Sequence, residues 1–187
     1  MPVITYGDDS VGQSAAIYYF LAAEMNLLGE GNMEAAQIMA VSEHLREMML
    51  AYRNVVPAGE APTSEASDTW FDSGSTDVTG TADSSKKSTR YLQWWMGRIE
   101  NALANDGFAV GKKLSLADIL LYYYFAETLT DAEAPEGFPE WKRVPFGEKE
   151  RIDKAVSEHP KIAASIATVK ENANFQKWLS IRGPQGF

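Results

Sequence analysis

The sequence predicts a mainly α-helical protein, a helical bundle that follows a short β-β-α segment. Three observations indicate this fold class. Over most of the chain, apolar residues recur every three to four positions, which is typical of amphipathic helices. The segment Leu116–Phe125 has no polar stripe on any face, as expected of a helix in the middle of a bundle. By contrast, Pro2–Tyr6 is short and β-prone, and turn-forming residues follow it at Gly7–Ser10.

The central helix begins with a capping pattern. Ser115 can cap the helix, and Asp118 three residues later can accept a hydrogen bond from the Ser115 amide, in a capping box with Asp where Glu or Gln is commoner. Leu114 and Ile119 stand at the two positions of a hydrophobic staple. We therefore expect Leu116–Phe125 to be the most buried segment of the bundle.

The composition excludes several kinds of site. The chain has 187 residues, a formal net charge of -9 and no cysteines. Disulfides and thiolate metal sites within this chain are therefore excluded, and charge repulsion disfavours a nucleic-acid partner. The two histidines, His44 and His159, lack the spacing of metal ligands, and no apolar run is long enough to span a bilayer. We expect a cytoplasmic protein with no metal and no membrane insertion.

The remaining helices follow from the spacing of apolar residues. One begins near Ser14, a long one covers Met33–Val56, and another covers Lys86–Asn105. Residues 131–146 contain three prolines among aromatic side chains, so we expect an ordered loop there. Pro160 opens one of the closing helices at its first turn.

Residues Pro57–Ser85 differ in composition from the segments on either side. They are rich in Ser, Thr, Gly and Asp, and they contain no Lys or Arg. This composition predicts an acidic insertion that lacks regular secondary structure over most of its length. Trp70 and Phe71 lie in its middle. Because two adjacent aromatics are unusual in a solvated linker, we interpret them as candidate contacts for a protein partner. On this interpretation, deleting the insertion would leave thermal stability nearly unchanged.

Two stretches of the sequence resemble glutathione transferases. The run Phe108–Ile119, which contains the capping pattern, resembles the segment that leads into the buried helix of that family's all-helical C-terminal domain. Met1-Pro2-Val3, followed by Gly12–Ile17, resembles the middle of the family's thioredoxin-like domain. In that domain a cis-proline motif precedes a Gln-Ser or Glu-Ser pair that opens a helix.

The resemblance implies a glutathione site in the N-terminal segment. In the family, the residue before the cis-proline binds the cysteinyl part of glutathione through its backbone, and the Gln-Ser pair holds the γ-glutamyl carboxylate. In this sequence the backbone clamp would be Met1 with Pro2, and the carboxylate ligand would be Ser14 with its neighbour Gln13. A serine hydroxyl and free amides at a helix N-terminus do favour an anion. The alternative is that Ser14 only caps its helix.

The resemblance also implies a division of the chain. Residues 1–31 correspond to part of a thioredoxin-like domain, and residues 32–187 to the all-helical C-terminal domain, with residues 57–85 as an insertion. In the family, the strand that carries the catalytic tyrosine, serine or cysteine precedes the cis-proline. That strand has no counterpart in this sequence, so we assign no catalytic residue.

Two functions follow from the resemblance. The first is transfer of glutathione, as co-substrate, to an electrophilic small molecule. This function requires the missing N-terminal half of the thioredoxin-like domain, which carries the catalytic residue in the family. The second is a non-catalytic scaffold or binding subunit of a larger assembly. Without the preceding strand, the strand that begins at Pro2 would present an apolar edge, which invites pairing. We therefore expect a homodimer contact or another protein partner to cover that edge.

Overall fold

The structure, a computed structural model, describes residues 2–74 and 90–185. Within these ranges a two-stranded hairpin precedes a bundle of helices, which confirms the predicted mainly α fold. The elements in chain order are β1 (Val3–Tyr6), β2 (Asp9–Gly12), α1 (Ser14–Glu24), α2 (Gly31–Arg53), α3 (Ser64–Asp72), α4 (Leu92–Ala102), α5 (Leu116–Phe125), α6 (Lys149–Ser157), α7 (Pro160–Glu171) and α8 (Ala173–Ile181). Two short 3-10 turns, Glu140–Arg143 and Pro145–Gly147, lie between α5 and α6.

The N-terminal hairpin is antiparallel and leads directly into α1. Val3, the first residue of β1, pairs with Gly12, the last residue of β2. Gly7 in the turn has a positive φ of 61°, a conformation that glycine adopts at little cost. The ring of Tyr6 packs edge-on against Phe20 of α1, with 5.4 Å between the ring centroids. This contact ties the hairpin to the helix.

The core lies mainly between α2, α4, α5 and α7. α5 packs against both α2 and α7, and α4 packs against α2. Several large side chains of the core are almost completely buried: Trp70, Phe125, Ile38, Leu45, Met48, Leu92, Met96, Ile99, Leu121, Ile152 and Ile162. Burial of this apolar surface, more than intrinsic helix propensity, stabilises the helices.

Asp118 fixes the start of α5 from inside the core. Its carboxylate accepts hydrogen bonds from the Ser115 amide at 2.9 Å and from the Ser115 hydroxyl at 2.7 Å, and the predicted capping box is present. The same carboxylate accepts from the Ala109 amide and from the Ser165 hydroxyl of α7, each at 2.7 Å. Asp118 is 0% exposed. It therefore joins the start of α5 to the preceding loop and to α7, which is more than a cap does.

Most of Leu116–Phe125, the segment expected to be the most buried of the bundle, is buried, but Tyr123 is not. Tyr122 and Phe125 are 7% and 1% exposed, but Tyr123 is 45% exposed. Tyr123 reaches the surface because the C-terminal end of α5 borders an open cleft. A tyrosine suits such a position, since its ring can pack while its hydroxyl meets water.

The interpretation of Trp70 and Phe71 as partner contacts is wrong. The predicted insertion contains α3, and on this helix Trp70 and Phe71 are 0% and 4% exposed. The Trp70 ring packs against Tyr52 of α2 at 5.1 Å and against Phe146 at 5.6 Å between centroids. Both aromatics belong to the core of this chain. Residues 75–85 of the predicted insertion lie outside the described residues.

Local interactions explain why this acidic segment forms a helix. Thr63 caps α3, and its hydroxyl oxygen accepts a hydrogen bond from the Ala66 amide at 3.2 Å. Asp68 and Asp72 both pair with Arg151 of α6, which offsets their repulsion. On this short helix the aromatic residues pack into the core, and two of the acidic residues form ion pairs with α6. Average composition hides such a pattern, because it does not separate the two faces of a helix.

Candidate functional site

The predicted glutathione residues gather at the open end of the hairpin. Because the first residue of β1 pairs with the last residue of β2, Pro2 and Gln13 lie at the same end, and Ser14 follows as the first residue of α1. All three are exposed. Met1, the fourth predicted residue, lies outside the described residues.

Ser14 does not occupy the capping position of α1. Gln13 holds that position, and its side chain makes no capping hydrogen bond. The Gln13 carbonyl accepts a hydrogen bond from the Ile17 amide at 3.0 Å, which closes the first turn. That turn carries no acidic residue, so no carboxylate within it opposes an anion at the helix N-terminus. The alternative role of Ser14, that of a helix cap, is therefore not the one it has here.

The backbone of Gln13 is strained. Its φ of 71° and ψ of 123° lie outside the regions that L-residues normally occupy. Among the other non-glycine residues in the described ranges, only Asn26 and Phe146 have a positive φ. Such conformations cost free energy and cluster at binding and catalytic sites. The strain singles out the start of α1 as a candidate site.

A second feature, which the sequence did not predict, is an open cleft of about 380 Å³. It lies between the C-terminal ends of α2 and α5 and the segment that connects α5 to α6. Aromatic side chains form much of its wall: Tyr52, Tyr123, Tyr124, Phe138, Trp141 and Phe146. The prolines and aromatics of residues 131–146 predicted an ordered loop. They did not predict that this loop would face the ends of two helices that are distant in sequence.

The tyrosine hydroxyls of the cleft are protonated at neutral pH even at the ordinary tyrosine pKa of about 10, and burial raises that pKa further. Burial raises the pKa of Tyr52 to about 12 and that of Tyr124 to about 12, and it also raises the pKa of Tyr123. The Tyr52 hydroxyl donates a hydrogen bond to the Phe146 carbonyl at 3.2 Å. At neutral pH these side chains are therefore neutral hydrogen-bonding groups and not phenolate bases.

Cations outnumber acids on the wall of the cleft. Arg53, Lys142 and Arg143 line it, against a single acidic residue, Glu127. The carboxylate of Glu127 is paired with Arg182, which follows α8. The residues that line the cleft thus include three cations and one acid, although Arg143 also pairs with Asp131 outside the wall.

Residues 2–74 and 90–185 contain no group of three or more acidic or histidine side chains arranged to hold a metal ion. In the same ranges no helix combines the length and the apolar character that crossing a membrane requires.

Comparison with known proteins relates this chain to one family. A family model described as glutathione S-transferase, C-terminal domain, matches residues 75–182. Comparison with curated proteins gives no significant match.

Similar solved structures are also glutathione S-transferases. One from Ascaris lumbricoides is 19% identical with a TM-score of 0.61, and the match covers 100% of this chain and 76% of that chain. A monomeric one from the hookworm Necator americanus is 20% identical with a TM-score of 0.68 and the same coverage of 100% and 76%. A Pi-class one from Onchocerca volvulus is 20% identical with a TM-score of 0.59, and the match covers 96% of this chain and 69% of that chain.

At these identities the structural likeness shows the fold alone. That fold is a helical bundle of the glutathione transferase C-terminal type, preceded by a small thioredoxin-like part. The family match, by contrast, spans more than half of the sequence. The chain therefore belongs to the glutathione S-transferase family.

Proposed function

We propose that this chain binds glutathione at the start of α1. In this proposal Ser14 and Gln13 hold the γ-glutamyl carboxylate, and the backbone at Met1 and Pro2 holds the cysteinyl part. Family membership supports glutathione as the ligand. The division into a glutathione-binding segment, residues 1–31, and a helical domain after it is part of the same proposal.

The observation that carries the proposal is the strained backbone of Gln13 at an exposed helix N-terminus. A residue stays in a costly conformation only where its surroundings impose it, and such residues cluster at functional sites. Here the strain falls at a residue that the resemblance assigns to glutathione. The first amides of α1 have no partners within the helix, and a carboxylate placed there gains from these amides and from the helix dipole.

Conjugation of the bound glutathione to an electrophile is the second step of the proposed activity. It requires a donor that stabilises the glutathione thiolate as the new sulfur–carbon bond forms. We assign no residue of this chain to that role. Tyr6, the hydroxyl-bearing aromatic of the hairpin, is 65% exposed and packs against Phe20. We therefore propose that the chain by itself binds glutathione without accelerating conjugation, and that an N-terminal half supplies the donor.

Calorimetric titration of the purified chain with glutathione tests the binding site. Ser14→Ala should weaken binding about tenfold, because a hydrogen bond to a charged group contributes about 1.5–3 kcal/mol. Ser10→Ala, at an exposed position near the hairpin turn, is the matched control and should leave the affinity unchanged. Equal affinities of the wild-type chain and the Ser14→Ala variant would refute the site, as would the lack of any glutathione binding.

A conjugation assay with chlorodinitrobenzene tests the proposal that the chain by itself does not accelerate conjugation. The expected rate with the 187-residue chain is that of the uncatalysed reaction. Turnover well above that rate, with the mass of the chain confirmed, would show that a donor exists within this sequence.

An exposed apolar surface favours the second function, a scaffold or binding subunit. Val3 and Tyr6 of the hairpin are 57% and 65% exposed, and Tyr19 of α1 and Met25, directly after α1, are 51% and 63% exposed. Among the described residues β1 pairs only with β2, so its outer edge is open. A homodimer contact or another protein could cover this surface. Sedimentation of the purified chain over a range of concentrations would separate self-association from a need for a different partner.

A further inference from the structure

We infer that α8 and the residues after it, residues 173–185, form a strap that opens as a unit while the rest of the bundle stays folded, and that Arg182 holds this strap closed. The residues assigned to glutathione lie at the start of α1, so the inference does not rest on glutathione binding. It rests on the burial of α8, on the contacts of Arg182 and on the segment that receives those contacts.

Apolar packing holds α8 only weakly. All nine residues of α8 are described, and none of them is buried. α6 has the same length and buries Ile152 completely. In α8, Trp178 and Ile181 are 43% and 72% exposed, and the half-buried Phe175 supplies a ring contact with Tyr122, at 4.7 Å between centroids. Segments with few buried apolar contacts open locally at a low cost in free energy.

Arg182, directly after α8, makes strong polar contacts instead. Its side chain is 4% exposed and pairs with the carboxylates of Glu127 and Glu133. The Arg182 Nε donates a hydrogen bond to Glu133 at 2.5 Å, and a terminal nitrogen donates to the Thr128 carbonyl at 3.5 Å. The guanidinium also lies over the ring of Trp178, 4.7 Å from its centroid. One side chain thereby joins the end of α8 to the segment that follows α5.

The segment after α5 is arranged to receive Arg182. The Glu133 carboxylate accepts hydrogen bonds from the amide and the hydroxyl of Thr130, at 2.9 and 2.8 Å. These bonds do not involve α8, so they orient the carboxylate even when the strap is open. The Glu133 carbonyl also accepts a hydrogen bond from the Gln185 amide at 2.7 Å. Both polar contacts of the strap with Glu133 therefore form or break together.

The ion pairs of Arg182 decide whether the strap is closed. The side chains of Glu127 and Glu133 are 14% and 13% exposed. Without Arg182 these two poorly hydrated carboxylates lose their cation, and removing one partner of a buried ion pair costs more than the pair itself contributes. Glu127 also lines the cleft, so opening of the strap changes the charge on the wall of the cleft.

The rest of the bundle keeps its own contacts when the strap opens. α7 buries Ile162, Ser165, Ile166 and Val169. The Ser165 hydroxyl donates to Asp118, which joins α7 to the start of α5. None of these contacts involves α8, so opening of the strap should cost less free energy than unfolding of the whole chain.

Hydrogen–deuterium exchange of the full chain, read by mass spectrometry, tests the inference. In the wild-type chain we expect the amides of α8 to exchange about tenfold faster than those of α5 and α7, or faster still. Arg182→Gln should speed exchange in α8 by about a further tenfold, because it removes hydrogen bonds between charged groups, while α5 and α7 stay protected. Lys149→Gln is the matched control. It also removes one cation, but from an exposed ion pair with Asp153, and should leave exchange in α8 unchanged.

Limited digestion with trypsin gives a second measurement. Lys177 in α8 and Lys154 in α6 are both exposed, but cleavage requires that the helix around the lysine opens. We expect cleavage after Lys177 to precede cleavage after Lys154, and to be several-fold faster in Arg182→Gln than in the wild-type chain.

Three outcomes would overturn the inference. Exchange of α8 and α5 at one common rate would mean that α8 opens only with the whole bundle. Unchanged exchange of α8 in Arg182→Gln would mean that Arg182 does not hold the strap. An Arg182→Gln variant that no longer folds would show that this residue supports the entire bundle. Neither measurement uses glutathione, so both are independent of the site at α1.

Discussion

Two helices of this protein begin in opposite ways. α5 begins inside the core, where Ser115 and Asp118 are 0% exposed and joined by hydrogen bonds. α1 begins at the surface, where Gln13 and Ser14 are exposed and the Gln13 backbone is strained. The sequence shows a similar signal at both places, a small polar residue ahead of an apolar helix. The difference teaches that the same local signal can lie in the core, where it joins parts of the fold, or at the surface, where it does not.

The largest effect should come from removing the carboxylate at the start of α5. Asp118→Ala leaves buried donors without a partner, on Ala109, Ser115 and Ser165. Each such donor costs about 1–3 kcal/mol, so we expect a loss of about 4 kcal/mol in the free energy of unfolding. A helix cap alone contributes about 1 kcal/mol. Urea unfolding measures the difference, with the exposed Asp106→Ala as control. A loss no larger than that of a cap would mean that the extra hydrogen bonds add nothing.

The next effect concerns α3, where the sequence suggested a solvated insertion. Trp70→Ala should lower the free energy of unfolding by about 3 kcal/mol, at the low end for this substitution because the buried Trp70 Nε1 has no hydrogen-bond partner among the described residues. Trp178→Ala is the matched control, since Trp178 is 43% exposed, and should cost clearly less. Equal losses would mean that α3 does not act as part of the core. For the same reason, deleting residues 57–85 should lower the melting temperature, contrary to the expectation from composition.

At the C-terminal end of α8, an ion pair makes the stability of the protein depend on pH. Arg182, directly after α8, donates a hydrogen bond to Glu133 and lowers the pKa of that carboxyl from 4.5 to about 2. A depressed pKa stabilises the fold above the pKa of the unfolded chain, and the contribution is lost as the pH falls towards 2. Glu133→Gln should therefore cost about 1 kcal/mol at neutral pH and flatten the fall in stability on acidification. Unfolding curves from neutral to acidic pH, with the exposed Glu136→Gln as control, test this. Parallel pH profiles for the wild-type chain and Glu133→Gln would contradict it.

The smallest effect on stability should come from the start of α1. Ser14 is exposed and is not the cap of its helix, so Ser14→Ala should change the free energy of unfolding by less than about 0.5 kcal/mol. The matched change Ser115→Ala removes a buried hydroxyl from the Asp118 carboxylate and should cost about 1 kcal/mol or more. Thermal unfolding of the two variants compares the two helix starts directly. Similar losses for both serines would contradict the difference between the buried start of α5 and the exposed start of α1.

Local sequence patterns predicted most of the fold and the start of the candidate site. The β-β-α beginning, the capped α5 and the proline at the start of α7 all depend on neighbours within a few residues, and the structure contains each of them. The position of Pro2 beside Gln13 also follows from a short hairpin. By contrast, the composition of residues 57–85 misrepresented α3, because an average over a segment does not show which side chains face the core.

The sequence by itself thus determined the helical class, the capping box and the family, since apolar periodicity and short motifs are local properties of the chain. Only the tertiary structure decided the rest. It gave Asp118 its bonds to Ala109 and Ser165, buried Trp70 against Tyr52, and left Tyr123 at the edge of an aromatic cleft. Each of these features joins residues far apart in the chain or depends on which face of a helix is covered. Packing of the whole bundle fixes such contacts, and no local pattern contains them.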